Sequence, residues 1–292
     1  MVDNVADPAL AGLLAAGGIA VENGALKKVN PYIVEEAALY DNCVNVIFGN
    51  TLTEYVDSRD ERVRLYESSN VESKNNTPIQ VYIGPDKHTF TGSFRQENEL
   101  RFGVLEHSHF GIWTALAKMD GTVAGLPAKH TDYATFPNSF AGSHSATSGT
   151  LELSPNAEFT GIVLGLASYG HQSLSGLAEH MDLDGLASLR LSSASAGNLT
   201  LDFRDFYTLN GNLTIDGSDG FTGEFTSISG SSPQFATPVP TAVAQYNSNY
   251  ITGDFYGNSK GGEAVGRFGL HHYNETEAKW LDIFGSFGVI KK

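Results

Sequence analysis

The sequence has 292 residues, of which 41% are hydrophobic, and its 18 lysines and arginines face 33 aspartates and glutamates, for a formal net charge of −15. This acidic balance excludes a protein that binds the phosphate backbone of nucleic acids. Because charged residues make up only 17% of the chain, the sequence indicates a folded protein with a dispersed negative surface. The 32 glycines and the 11% of aromatic residues favour turns and short strands over long helices.

The N-terminal segment carries no sign of a membrane signal. Pro8–Ala25 is predicted to form a short helix or a glycine-containing arm, and its apolar stretch is interrupted by glycines. No stretch of the sequence is long enough for a transmembrane helix, and Asp3 and Asp7 stand where a signal peptide would have basic residues. We therefore expect no membrane insertion, and either a cytoplasmic protein or a mature form whose signal peptide was removed.

The remainder of the first half mixes strands with loops. Its one cysteine, Cys43, cannot form an internal disulfide and is predicted to be an inert core residue. Ile79–Ile83 is predicted as a strand followed by a turn at Gly84–Asp86, and Leu100–Trp113 as a longer strand. A loop rich in Gly, Pro and Ser is predicted over Gly121–Gly149. The domain boundary is placed at its end, which gives domains 1–149 and 150–292.

From residue 150 onward the pattern becomes regular. In Leu199–Phe203 and Leu213–Ile215 the odd positions are apolar and the even positions polar, which is the period of a strand with one face on a core. Strand-like segments recur at short intervals over Glu158–Ser168, His180–Ser192, Asn198–Phe206, Asn212–Asp216, Phe221–Ser227, Tyr250–Tyr256, Ala264–His272 and Lys279–Ile290. Such a series suits an eight-stranded antiparallel β-barrel, which closes its own edges.

Four segments carry a more specific pattern. Ile251–Phe268 contains Gly-Asp-Phe-Tyr-Gly, a turn, and Glu-Ala-Val-Gly-Arg-Phe. Leu201–Ile215 and the closing Phe284–Lys292 fit the same pattern of barrel strands, and Phe102–Trp113 is similar to a strand that precedes such a barrel. These segments resemble the transferrin-binding-protein-B-like family, with the similarity covering residues 150–292.

This resemblance implies a fold class and a kind of function. The fold is all-β, with an N-terminal handle or clamp domain followed by a C-terminal eight-stranded antiparallel β-barrel. Members of the family are bacterial surface lipoproteins and secreted relatives, some exported by a Slam-type translocator. They bind transferrin, haem, haemoglobin or complement regulators. The sequence itself contains no P-loop, dinucleotide fingerprint, HExxH or Gly-x-Ser-x-Gly motif, so we expect no enzyme.

The hemophilin-like branch of secreted haem scavengers is the most similar. The chain has one handle-plus-barrel unit and no cysteine before Cys43 to carry a lipid anchor. The resemblance therefore implies a secreted or cell-surface hemophore for iron acquisition, binding haem b non-covalently and delivering it to an outer-membrane TonB-dependent receptor. A host haem protein is a further expected partner.

Histidines of the handle region are the candidate ligands for haem iron, which needs an axial imidazole and a pocket with aromatic and aliphatic walls. His107 and His109 are two residues apart, so on a strand they would project to the same face. We predict one of them as the axial ligand. Two histidines on one face cannot ligate opposite faces of haem, so a second ligand is sought at His88, His130 and His144. The candidate pocket wall consists of Phe102, Leu105, Phe110 and Trp113.

Other interpretations stay open. Both histidines suit a solvated strand, and His107 with His109 suits Zn(II) if further ligands exist. A surface protein that binds a host protein, such as transferrin, haemoglobin or a complement regulator, is the alternative function. Paired carboxylates at Asp182 and Asp184, and at Asp202 and Asp205, are typical of solvated barrel faces and less so of carbohydrate cleavage. Adjacent His271 and His272 would point to opposite faces of a strand and are interpreted as structural.

Overall fold

A computed structural model of the chain describes residues 19–22, 25–28, 53–56, 60–75, 78–83, 86–123, 126–134, 138–144, 153–171, 179–204, 206–216, 219–230, 248–257, 262–274 and 279–292. The regular structure within these ranges is all β-strand. In the same ranges, no helix has the length and apolar character needed to cross a membrane.

The N-terminal strands form two antiparallel sheets. Their bounds are β1 Ile19–Glu22, β2 Ala25–Lys28, β3 Thr53–Val56, β4 Arg64–Asn75, β5 Ile79–Ile83, β6 Asp86–Val104, β7 Ser108–Val123, β8 Leu126–Ala134 and β9 Asn138–Ser143. β1 pairs with β2 alone, and the other seven form what we call the handle sheet. Its order is β3-β4-β6-β7-β8, with β5 beside β6 and β9 beside β7. The long hairpin of β6 and β7 is therefore the centre of the handle.

The C-terminal strands form a closed barrel. Their bounds are β10 Glu158–His171, β11 Glu179–Ser193, β12 Ala196–Asp202, β13 Tyr207–Ile215, β14 Gly220–Gly230, β15 Ser248–Tyr256, β16 Glu263–Asn274 and β17 Lys279–Lys291. Each strand is antiparallel to the next, and β17 pairs back onto β10. Closure removes the unpaired strand edges of an open sheet. The predicted fold class is thereby confirmed, and each of the eight predicted barrel segments overlaps one strand.

The barrel interior follows the period-two pattern of the sequence. Leu199, Leu201 and Phe203 are buried in one continuous apolar core with Leu213 and Ile215. The polar residues between them lie on the outer surface: Thr200, Asp202 and Thr214 are partly or fully exposed. The predicted register of these strands is therefore confirmed.

Two predictions for the first half are wrong. Leu100–Trp113 is not one strand, because the chain reverses at Glu106 and His107 between β6 and β7. The turn has no Gly, Pro or Asn to mark it. Gly121–Gly149 is not one loop, since it holds the end of β7 and the strands β8 and β9. Cys43 and the predicted domain boundary after residue 149 lie outside the described residues, as does most of Pro8–Ala25, whose last residues belong to β1 and β2.

The handle sheet packs onto the outside of the barrel through an apolar layer. Phe110 lies against Gly288 of β17, where the absence of a side chain leaves room for the aromatic ring. The buried members of this layer are Val63, Leu65, Leu105, Phe110 and Ile112 from the handle, and Ile162, Leu164, Tyr256 and Val265 from the barrel. Handle and barrel thus share one core in addition to the core inside the barrel.

The barrel core allows a direct test at Leu201, which has 0% of its surface exposed. Leu201→Ala removes buried methyl groups and leaves a cavity, so we expect the free energy of unfolding to fall by between about 2 and 5 kcal/mol. Thr214→Ala is a matched control because Thr214 lies on the exposed face of β13. Urea titrations of both variants measure the difference, and an unchanged midpoint for Leu201→Ala would contradict the packing.

Candidate functional site

The handle sheet has two faces, and the candidate site lies on the face away from the barrel. Alternation along β7 sends Phe110 and Ile112 into the barrel contact, so His109 and Trp113 face the other way. Phe102 lies opposite Gly111, and its ring stacks on Tyr66 with centroids 5.1 Å apart. We call the face that carries His109 the aromatic face.

His109 lies over a gap in the neighbouring strand β9. Its partner in the register is Gly142, and a Cβ there would lie 3.8 Å from Nε2 of His109. Phe140 stands two residues before Gly142 on β9, and His144 is the residue directly after the end of β9. Their ring centroids lie 6.1 and 5.9 Å from that of His109. The imidazole of His109 therefore sits between a phenyl ring and a second imidazole.

The ring nitrogens of His109 have no hydrogen-bond partner among the residues that the structure describes. Only 1% of the residue is exposed, and neither Nδ1 nor Nε2 makes a hydrogen bond to any described residue. Burial, together with the neighbouring His144, lowers the pKa of His109 to about 3. The ring is therefore neutral at ordinary pH, which is the form that ligates metals. A buried polar group without a partner is rare in folded proteins and calls for an explanation.

His144 stacks on His109, and its tautomer follows from the hydrogen bond that its ring makes. The imidazole planes of His144 and His109 are inclined by only 21°. Nε2 of His144 lies 3.0 Å from the carbonyl oxygen of Glu106. A carbonyl only accepts, so Nε2 of the neutral ring carries the proton. Nδ1 is then a bare lone pair, and it is buried with no hydrogen-bond partner among the described residues.

The pKa of His144 is also lowered, with burial as the main cause. The hydrogen bond to Glu106 opposes this shift, because it favours the protonated ring. Two neutral imidazoles thus lie together on the aromatic face, with three ring nitrogens that have no partner in the part of the chain described here.

His107 does not share this face. It lies in the turn before β7, with 31% of its side chain exposed, and its carbonyl accepts the backbone N–H of His144 at 3.0 Å. The expectation that His107 and His109 project together from one strand is therefore wrong, because the strand ends between them. Leu105 and Phe110 of the predicted pocket wall lie in the barrel contact, on the opposite side from Phe102 and Trp113.

His88 and His130, the other two candidates for a second ligand, are placed by their backbones. His88 lies on β6 opposite Val81, and His130 on β8 opposite Met119. Neither position is adjacent in the register to His109. His271, on the outer surface of the barrel, contacts the carboxylate of Asp282 through Nδ1, in agreement with a structural role.

A buried carboxylate of the barrel holds the turn that contains His107. Glu263 begins β16, is 3% exposed, and accepts hydrogen bonds from the backbone N–H groups of Glu106 and His107 at 3.1 and 2.8 Å. The hydroxyl of Ser108 donates to the same carboxylate at 2.7 Å. Burial raises the pKa of Glu263, and these hydrogen bonds oppose the shift. Sequence reasoning missed Glu263, since no local pattern links it to a turn 157 residues earlier.

The paired aspartates of the barrel bind the handle. Arg101 of β6 is 6% exposed and contacts Asp184 at 2.5 Å and Asp182 at 2.9 Å, and it donates to the carbonyl of Gly165 at 3.2 Å. Asp182 and Asp184 face outward from the barrel and engage one guanidinium group. Their arrangement is that of an ion-paired contact between the two parts of the chain.

The aromatic face offers different ligands to haem and to a simple metal ion. Haem needs a neutral imidazole nitrogen without another partner, beside apolar side chains. His109 offers nitrogens that have no partner among the described residues, and Phe102 and Phe140 offer aromatic surface beside it. For a simple ion the described residues hold no group of three or more His, Cys, Asp or Glu side chains in ligating positions. The side chains present therefore fit haem better than a closed zinc site.

Comparisons with known proteins give a likeness to solved structures only. Neither a protein-family model nor a curated protein matches the chain. A mutant of transferrin-binding protein B from Haemophilus parasuis Hp5 is 12% identical with a TM-score of 0.36, over 82% of this chain and 53% of that chain. A double mutant of the same protein gives 12% identity and a TM-score of 0.34, over 83% and 54%. The chain spans about half the length of each, and likeness at this level assigns neither a family nor a function.

Proposed function

We propose that the protein binds haem on the aromatic face of its handle, with His109 as the axial ligand. The observation that carries the proposal is the buried imidazole of His109, neither nitrogen of which has a partner among the described residues. Leaving such a group unpaired costs about 1–3 kcal/mol of folding free energy. A ligand that uses the nitrogen explains why the chain keeps this residue.

The residues around His109 have separate tasks in this proposal. If bound, haem would be held through His109, and its iron would supply a Lewis acid for the imidazole nitrogen. His109 offers a neutral imidazole because its burial disfavours the proton. Phe140 and Phe102, whose centroids lie 6.5 Å apart, provide apolar surface beside it. Because only 1% of His109 is exposed, the ring must become accessible first, and we expect association slower than that of a preformed open pocket.

The wider role follows from reversible capture without turnover. A secreted or surface-exposed hemophore would take haem from the medium or from a host haem protein and pass it to an outer-membrane TonB-dependent receptor. Such a carrier needs a strong but reversible bond to the iron and apolar burial of the porphyrin, and the aromatic face offers both kinds of contact.

Haemin titration tests the proposal. We expect wild-type protein to shift the Soret band of haemin at one equivalent, because an imidazole nitrogen replaces solvent at the iron. His107→Ala is the matched control, since His107 lies in the turn and away from the aromatic face. Its spectrum should equal that of the wild type. A wild-type protein that leaves the haemin spectrum unchanged would overturn the proposal.

Binding of a host iron protein is the second candidate, and the shape of the handle favours it. The β6–β7 hairpin continues for many residue pairs beyond the part that packs on the barrel, as far as Phe90 opposite Val123. Its outer part presents exposed polar residues, among them Thr91, Ser93, Arg95 and Asp120. The solved structures named above carry transferrin binding in their name. Immobilised wild-type protein exposed to iron-loaded transferrin, with a Ser93→Glu, Arg95→Glu variant as control, tests this candidate.

The barrel alone should not bind haem. Residues 150–292 contain the closed barrel, so we expect this fragment to fold, while His109 and His144 lie outside it. The fragment exposes the apolar layer of Ile162, Leu164 and Val265 that the handle covers in the whole chain. We therefore expect it to self-associate in size-exclusion chromatography. A fragment that shifts the haemin spectrum as the whole chain does would place the ligand in the barrel.

A further inference from the structure

A single peptide group connects the barrel to the imidazole pair of the handle. It is the peptide between Glu106 and His107. Its N–H donates to Oε1 of Glu263 at 2.8 Å, and its carbonyl oxygen accepts from Nε2 of His144 at 3.0 Å. Because the two ends of a trans peptide point in opposite directions, the carboxylate of the barrel and the imidazole of the handle lie on opposite sides of one amide.

The partners of Glu263 indicate that it acts as a carboxylate. All three hydrogen-bond partners that the structure gives it, Glu106 N–H, His107 N–H and the Ser108 hydroxyl, are donors. A protonated carboxyl group would need an acceptor for its own O–H. The negative charge of Glu263 is therefore placed against the N–H end of the amide that holds His144.

A charge at one end of an amide changes the hydrogen bond at the other. A carboxylate that accepts from the N–H polarises the amide and makes its carbonyl oxygen a stronger acceptor, since hydrogen bonds in a chain reinforce one another. A stronger acceptor at Glu106 holds the proton of His144 at Nε2. The lone pair at Nδ1 then stays free on the aromatic face, beside His109.

We propose that Glu263 is a positioning residue, which fixes His144 in its Nε2–H tautomer through the Glu106–His107 peptide and so keeps Nδ1 of His144 as a bare acceptor next to His109. The part of this inference that concerns haem rests on the proposed function. A ligating histidine usually donates its second N–H to an acceptor, which orients the ring and raises its basicity. No hydrogen bond joins the two stacked rings in this structure, so Nδ1 of His144 becomes the acceptor for His109 once the ring of His109 turns toward it.

Nitrogen-15 NMR of the histidine rings in the haem-free protein tests the tautomer directly. We expect wild-type protein to show one protonated nitrogen in His144, Nε2, with slow exchange of its hydrogen. Glu263→Gln keeps the size of the side chain and removes its charge. We expect it to speed exchange of the Nε2 hydrogen by about tenfold, or to mix the two tautomers. A His144 signal unchanged from wild type would overturn the inference.

Two further variants separate charge from packing. Asp184→Asn makes the same chemical change in the ion pair with Arg101, which also joins barrel and handle. Ser108→Ala removes one donor from Glu263 but leaves its charge and the peptide in place. Both should retain the wild-type tautomer and exchange. If either loosens the Nε2 hydrogen as Glu263→Gln does, general loosening of the contact explains the effect and the inference falls.

Haemin titration of the same variants separates this inference from the proposed function. We expect Glu263→Gln to lower the affinity for haemin by about tenfold, which is the smaller end of the loss seen when a metal-binding side chain loses its hydrogen-bond partner. Asp184→Asn should bind haemin with the affinity of the wild type. Absence of haemin binding in every variant, including wild type, overturns the proposed function and leaves the NMR result to decide the role of Glu263. Equal affinity of wild type and Glu263→Gln overturns the link to haem.

Discussion

His109→Leu is expected to make the protein more stable and unable to ligate haem. The wild-type ring is buried with two nitrogens that find no partner among the described residues, and their desolvation is not compensated. Leucine has a similar volume and no polar atoms, so we expect the free energy of unfolding to rise by about 1–3 kcal/mol. The same change removes the nitrogen that would bind iron, so the Soret shift with haemin should disappear. A gain in stability with loss of binding is the mark of a residue kept for function.

His144→Leu is the matched control for that result. It also replaces an imidazole on the aromatic face with leucine, but it leaves the carbonyl of Glu106 without its hydrogen bond from Nε2. The change also removes Nδ1, which has no hydrogen-bond partner among the described residues, and this gain offsets the lost hydrogen bond. We therefore expect a change in the free energy of unfolding near zero, well below the gain in the His109 variant. Chemical denaturation gives the free energy of unfolding of each variant, and haemin titration gives the haemin affinity of each. If His109→Leu gives the wild-type haemin spectrum, His109 is not the ligand. If His109→Leu lowers the free energy of unfolding, the ring nitrogens of His109 do not lack hydrogen-bond partners in the folded protein.

The barrel was predictable from the sequence because neighbouring residues along each strand determine which side chains face the core. The alternation in Leu199–Phe203 sets which side chains enter the core. A slip by one residue would place the apolar set in water, so one register is selected. These are properties of neighbouring residues, and they need no knowledge of the rest of the chain.

The handle was only partly predictable, because a contact with the distant barrel holds its central turn. Leu105–His107 contains no residue that favours a turn, and Glu263 of the barrel accepts hydrogen bonds from the N–H groups of Glu106 and His107. Without that contact the sequence is typical of one continuous strand. A second error concerned the site itself. The sequence predicts a loop over Gly121–Gly149, and a loop gives no reason to place His144 beside His109. The imidazole pair depends on the pairing of β9 with β7.

The stability of the protein should fall as the pH is lowered from about 6.5 toward 3, and His109 should be a main cause. Its pKa is lowered from 6.5 to about 3 in the folded protein by burial and by His144. Between these values the unfolded chain binds a proton that the folded protein does not, so acid favours unfolding. Over the whole window the effect is on the order of 5 kcal/mol, and between pH 7 and pH 5 it is about 2 kcal/mol.

Comparison with His109→Leu isolates this contribution. The lowered pKa of His144 acts in the same direction, while the raised pKa of Glu263 acts in the opposite one, because burial makes the folded protein bind that proton more tightly. Both remain in the variant, so the difference between wild type and His109→Leu reports His109 alone. Urea denaturation at pH 7, 6 and 5 should show wild type losing about 2 kcal/mol more than the variant. If the free energy of unfolding of the two proteins changes equally with pH, His109 takes up a proton in the folded protein as readily as in the unfolded one. That result would contradict a His109 ring buried without hydrogen-bond partners.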